Sequence, residues 1–375
     1  MGIPTVVFLC AIDDITRVRR GGYGYYQAFS RKINTICISR DRWNDTRSLN
    51  RLLDSELHPI IILNIDSWPR RIPDNLVDVP FPTGIFNVDT FEIPKQRAQF
   101  SMLFDYSFVF HPGFDSVFKK IGHPASYFLA HAVEAELFEH DVELERIFDV
   151  GWVGRLTGKY YSLRRRIVPA LSEKFRMNDI FSFYPPEEMS NIYRQSRIVV
   201  NISRDDYLQD ANLRCFEAMA SGALLITPTP TELSEIGFSD GIHYVGFQKE
   251  SELYEKVEYY LKHDQERQII AQNARNLILQ EHTYDTRVQT ILDLLNQNQG
   301  KLFAPARTWS PARVHQQYFN HFCGAFMFND MFRELSKIYQ HNPRLAYLCL
   351  LPLVKAFAIK LRDSLRQETN DSISQ

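Results

Sequence analysis

Asn212, Arg214 and Glu217 stand in the first turns of a short helical pattern that breaks at Ser221-Gly222 and runs into an apolar stretch. A helix start presents unpaired N–H groups and the positive end of the dipole, so it attracts phosphate. An amide, a guanidinium and a carboxylate there suit a diphosphate and sugar hydroxyls. An ordinary amphipathic helix with a solvated start fits the same pattern. Further on the basic side, Val153-Gly154-Arg155-Leu156-Thr157-Gly158-Lys159 follows a strand pattern. Arg155 and Lys159 could neutralise a diphosphate, or form a solvated basic loop that Arg164, Arg165 and Arg166 extend.

On the acidic side, Asp89 ends the strand-like Phe86-Asn87-Val88 and could act as a base or orient a hydroxyl. Asp66 has similar placement, and capping the next element is the commoner fate of such an Asp. In Arg19-Arg20-Gly21-Gly22-Tyr23-Gly24-Tyr25, glycines let the backbone approach a phosphate or sugar, although a plain loop before a helix fits as well. His111 and His131 lie at strand ends, where a lone His is more often structural than catalytic. No H-E-x-x-H, G-x-S-x-G or Walker-type loop occurs, nor a D-x-D motif; Asp13-Asp14 and Asp205-Asp206 read as solvated pairs.

These groups need a scaffold to converge. Residues 5–12, 34–39, 59–65, 82–88, 106–110 and 125–129 read as strands, with helical patterns at 23–33, 48–57, 95–103 and 114–121. The alternation restarts with strands at 149–154, 179–184, 197–203, 223–228 and 243–247 and helices at 163–175 and 186–195. Such alternation predicts two doubly wound parallel sheets, and ligands of such sheets bind beyond the strand C-termini, here in the cleft between the units. The expected division is 1–135, 136–298 and a helical extension 299–375. In that extension, 314–339 and 343–366 read as two helices. The apolar part of the last one suits packing on the protein's own surface, an oligomer contact or interfacial membrane binding.

A chain of 375 residues suits two domains, and a net charge of -2 argues against general nucleic-acid binding. Five scattered cysteines and the lack of a basic start before the first apolar run point to a cytoplasmic protein without a disulfide framework.

From about Phe148 to Leu295 the chain resembles GT-B glycosyltransferases, most closely the CgeB-like (spore-maturation type) group, related to the retaining glycogen-synthase-like enzymes. The resemblance rests on Val153-Gly154-Arg155, Asn212-Leu213-Arg214, Phe216-Glu217-Ala218, Ser221-Gly222-Ala223 and Thr231-Glu232-Leu233, in that order. It implies two Rossmann-like domains, the first for an acceptor and the second for a nucleoside-diphosphate sugar. Glu217 would bind the ribose, Arg155 and Lys159 the diphosphate, and Asn212, Arg214 and Gly22 the donor. Gly21 and Tyr23 would meet the acceptor, and Asp89 stands for the catalytic His of many relatives. Where relatives place a second glutamate, eight residues before the ribose-binding one, this chain has Gln209, with Asp210 beside it. Sugar transfer to a glycan, small molecule or protein, without metal or cofactor and with retention, is the implied activity. A sugar-nucleotide epimerase or phosphorylase on the same fold and a non-catalytic scaffold stay open.

Overall fold

The computed structural model describes residues 2–10, 22–38, 49, 56–65, 73, 75–138, 144–324 and 326–373, with side chains described as far as residue 362. The first domain contains β1 (Ile3–Phe8), α1 (Gly22–Ser30), β2 (Asn34–Cys37), β3 (Leu57–Asn64), β4 (Thr83–Asn87), α2 (Pro94–Ser101), β5 (Tyr106–Val109), α3 (Asp115–Ile121) and β6 (Ser126–Phe128). Its six strands are all parallel, in the order β2-β1-β3-β4-β5-β6. The second domain runs through β7 (Phe148–Gly151), α4 (Ser162–Lys174), α5 (Pro186–Arg194), β8 (Ser196–Val200), α6 (Leu213–Ala220), β9 (Leu224–Pro228), β10 (Val245–Phe247), α7 (Glu250–Lys262) and α8 (Asp264–Glu281). Its sheet is also parallel, in the order β10-β9-β8-β7. Strands covered on both faces read as unbroken apolar runs. Leu224-Leu225-Ile226-Thr227-Pro228 is one of these, with all five residues buried.

The expected strand at 179–184 is a loop instead. Asp179 accepts hydrogen bonds from the Phe181 N–H at 3.0 Å and from the Ser182 hydroxyl, which turns the chain away from the sheet. Only an isolated bridge between Val150 and Met177 marks where a further strand would lie. Of the expected helix at 48–57, residues 48 and 50–55 lie outside the described residues, Leu49 is helical, and Leu57 begins β3 instead; Asp66 and Gly21 also lie outside the described residues.

After α8 the chain crosses back to the first domain as α9 (Tyr284–Gln297). Thr283 caps it, and Tyr284, Val288, Ile291 and Leu295 join the core around Val6, Phe8, Tyr25 and Phe29. Gly24 permits this approach, because a Cβ there would lie 2.1 Å from the Tyr284 ring. The outgoing and returning strands of the crossing run side by side, linked by Val133 N–H to His282 O at 2.9 Å and Tyr284 N–H to Val133 O at 3.1 Å. The buried Arg287 guanidinium donates to the carbonyls of Ala130, His131 and Glu281 and so ties the crossing together.

The C-terminal extension covers the other face of the first sheet with α10 (Pro311–Gly324), α11 (Phe328–His341) and α12 (Pro343–Ile373). One long helix was expected at 314–339; it breaks after Gly324, and Phe326 takes a left-handed φ of 52°. Val314, Phe319, Phe322, Met331, Ile338, Cys349 and Leu353 share a core with Val7, Ile62 and Ile85. Arg307 anchors the connection by donating from Nε and Nη2 to the buried Asp105 carboxylate at 2.8 and 2.7 Å. Of the three roles the sequence allowed for the last helix, packing on the protein's own surface is seen for one of its faces.

Candidate functional site

The loop after β8 and the start of α6 are built from polar side chains that satisfy backbone groups. Asn212 is the N-cap of α6, accepting from Arg214 N–H at 3.1 Å, and its own amide donates to the Ser203 hydroxyl at 3.0 Å. Arg214 reaches back across the sheet, donating from Nε to Val153 O at 2.6 Å and from Nη1 to Asn201 Oδ1 at 3.2 Å. A Cβ at Gly154 would stand 2.7 Å from Arg214 Nη2, so a glycine at the tip of β7 is what lets the guanidinium pass.

Beyond these strand ends lies a cavity of about 600 Å³. Asp89 enters it from the first domain, and Arg155, Asn212, Arg214 and Glu217 from the second. The other expected site residues lie elsewhere. Lys159 is exposed, with its ammonium 5.1 Å above the Tyr160 ring. Gly22 is the first residue of α1, packed on Ile65, and Tyr23 is buried in the core of the first domain.

Several lining residues went unrecognised in the sequence. Arg164, expected in a solvated basic surface, is buried on α4 and faces the cavity. Its Nε donates to Ile202 O at 2.6 Å, and its guanidinium lies 4.1 Å over the Tyr161 ring. Burial, and then the charge of Arg214, pulls its pKa down to about 10, so it stays protonated at neutral pH. Phe181 and Phe183, 79% and 84% exposed, project from the Asp179 loop onto the cavity rim. The available sequence signal was the Asp179-to-Pro186 stretch, where Asp and two prolines favour a turn over a strand.

The domains meet beside the cavity through a buried cluster. His111 Nδ1 lies 3.0 and 3.1 Å from the two carboxylate oxygens of Glu232, so Nδ1 carries a proton and donates it. Glu232 also accepts from the Tyr207 hydroxyl at 2.6 Å and from Ala211 N–H at 3.1 Å. Asp210 lies 4.0 Å from His111 Nδ1. Burial alone would lower the His111 pKa, but the bond to Glu232 and the charges of Asp210, Glu232 and Asp89 outweigh it and raise it. Burial pushes the Asp210 carboxyl up to about 7, with His111 opposing and Glu232 and Asp89 adding to the rise. His111 Nε2 and Asp210 Oδ1 are buried with no hydrogen-bond partner among the described residues. The three residues place one ligand atom each within 4.8 Å of one another, spacing that a cation would also require. Here both Glu232 oxygens are already engaged by protein donors. Phe91 stacks on Tyr207 at 4.2 Å, and Arg204 pairs with Glu92, so the contact continues along the cleft. His111, set aside as structural, is thus an interdomain residue next to the site.

Residues 145–293 match a family model described as "Glycosyl transferase-like". No curated protein matches the sequence. HepE from Anabaena, solved in complex with UDP and glucose, superposes with a TM-score of 0.54 at 12% identity, over 79% of this chain and 100% of its own. Sucrose-phosphate synthase from Thermosynechococcus elongatus gives 0.55 at 12% identity, over 79% and 99%. The catalytic domain of starch synthase IV from Arabidopsis thaliana, bound to ADP and acarbose, gives 0.57 at 9% identity, over 80% and 100%. The chain therefore has the GT-B fold, and its second domain carries the glycosyl-transferase-like match.

Proposed function

We propose that this protein transfers a sugar from a nucleoside-diphosphate sugar to an acceptor hydroxyl. The observation that carries the reading is the cavity itself, where three guanidinium groups, Arg155, Arg164 and Arg214, meet a capped helix start, Glu217 and two exposed phenylalanines. Cations and helix N–H groups suit a diphosphate. Flat apolar rings at the rim suit a base, which stacks on aromatic side chains. A carboxylate one turn into α6 suits paired ribose hydroxyls.

In the reaction the bond between the sugar's anomeric carbon and the diphosphate oxygen breaks, and the acceptor oxygen bonds to that carbon. Negative charge grows on the leaving diphosphate, where the guanidinium groups stabilise it more than in the ground state. Asp89, exposed on the first-domain side, orients the acceptor hydroxyl and takes its proton. Residues 1–135 serve the acceptor, 136–298 the donor, and 299–375 form the extension, although α9 lies in the first domain's core. Placement in the CgeB-like group and retention of configuration rest on the motif resemblance. Independence from metal ions rests on the guanidinium cluster, and turnover that survives a chelator is its test.

The donor panel is guided by the nucleotides in the similar structures, UDP and ADP. A thermal-shift screen against UDP-, GDP-, ADP-, CMP- and dTDP-sugars is expected to show one base raising the melting temperature, because a ligand of the folded state stabilises it. No response to any nucleotide would overturn the reading in favour of a scaffold. Free nucleotide release without acceptor dependence would favour an epimerase.

A further inference from the structure

The last helix leaves half of its apolar surface uncovered. Ala346, Cys349, Leu353 and Ala356 are buried against α10 and α11, in the core that these helices share with the first domain's sheet. On the opposite side Tyr347, Leu348, Leu351, Val354 and Leu361 are 62–74% exposed. Residues 347, 351, 354 and 361 fall at i, i+4, i+7 and i+14, one stripe of the helix. Isolated exposed leucines are ordinary, but a continuous apolar stripe on a soluble surface marks a contact.

Along most of the stripe the charges are of one sign, with Asp363 just beyond its end. Between 343 and 362 the sequence holds Arg344, Lys355, Lys360 and Arg362 and no Asp or Glu. The acidic residues of the adjoining α11, Asp330 and Glu334, are buried and engaged by Arg333 and His315. Two copies meeting through this face would bring like charges together, which disfavours a self-contact. No helix among the described residues is long and apolar enough to cross a membrane. An apolar stripe with basic residues beside it is instead the pattern of a helix that lies in the plane of a lipid surface.

We propose that the α12 face docks on a bilayer surface rich in anionic phospholipid. The proposal stands apart from the donor site, and its test does not involve turnover. The full chain is floated with vesicles of phosphatidylcholine alone and with vesicles containing about 30 mol% phosphatidylglycerol. It is expected to float with the anionic vesicles at low salt and to be released by about 0.5 M salt. Leu351→Glu with Val354→Glu is expected to cut partitioning by about a hundredfold. Arg344→Gln with Lys355→Gln should cut it by about thirtyfold, at roughly fivefold per cation. All four side chains are exposed, so the melting temperature serves as the check that both variants fold. Failure of the wild type to float, equal recovery on neutral vesicles, or undiminished recovery of both variants overturns the proposal. So does a solution dimer that the Leu351→Glu, Val354→Glu variant dissolves, which would assign the face to a second copy.

Discussion

Replacing Glu232, itself buried, with alanine removes the acceptor of three donors: His111 Nδ1, the Tyr207 hydroxyl at 2.6 Å and Ala211 N–H at 3.1 Å. Breaking a buried charged pair costs about 3–5 kcal/mol, and each further orphaned donor about 1–3 kcal/mol. With some relief from entering water, the loss is on the order of 5 kcal/mol, or roughly 10–20 °C in melting temperature. The same cluster sets a pH dependence. The folded-state pKa of His111 lies above its ordinary 6.5, so its contribution is full below 6.5 and is lost as pH rises through the raised value. Asp210, raised from 3.8 to about 7, holds a proton that the unfolded chain has released, so its contribution also fades between about pH 4 and 7. Both slopes have one sign, and stability falls as pH climbs through neutrality. In Glu232→Gln the charge that supports the His111 proton and opposes Asp210 ionisation is gone, so the slope flattens. Thermal melts of wild type and both variants from about pH 5.5 to about 8.5 read this directly. A Glu232→Ala protein melting within about 2 °C of wild type, or a Glu232→Gln protein with an unchanged pH profile, would mean that this cluster does not hold the domains together.

Phe181→Ala and Phe183→Ala should each weaken nucleotide binding by about tenfold in calorimetry, since base stacking is worth roughly 1–3 kcal/mol, while the melting temperature stays put. Undiminished binding by both would remove the base from that rim. Arg164→Gln should weaken a nucleoside diphosphate by about ten- to a hundredfold and leave the bare nucleoside unaffected. An equal loss for both ligands would mean the effect is structural. Asp89→Asn should lower turnover by about a hundredfold or more and leave the donor dissociation constant within about twofold. Full turnover would take Asp89 out of the chemistry.

The order of elements was legible because parallel strands buried on both faces leave continuous apolar runs, as in β9, and because helix starts carry polar caps such as Asn212. Asp89 and Arg155 could be placed at the cleft from their strand-end positions, and Asn212, Arg214 and Glu217 from a helix start together with the motif resemblance; all five line one cavity. What escaped depends on side-chain direction and on long-range partners. Arg164 looks like its neighbours Arg165 and Arg166, and only the helical phase of α4 turns it inward. Lys159 sits in the same loop as Arg155, yet it points away, over Tyr160. The pairing of His111 with Glu232 joins residues 121 positions apart on two domains, a contact that no local pattern records. The 179–184 segment has a strand's apolar content, but the Asp179 side chain takes the hydrogen bond that a sheet neighbour would have taken.

On the reading proposed above, the cavity holds a nucleoside diphosphate with its ribose on Glu217. Calorimetric titration of wild type and Glu217→Ala with the nucleotide diphosphate that gives the largest thermal shift measures it directly. Saturable binding is expected for the wild type and a loss of about thirtyfold or more for the variant, from about 2 kcal/mol or more of charge-assisted hydrogen bonding. A Glu217→Ala protein that binds the nucleotide as tightly as wild type would contradict that reading.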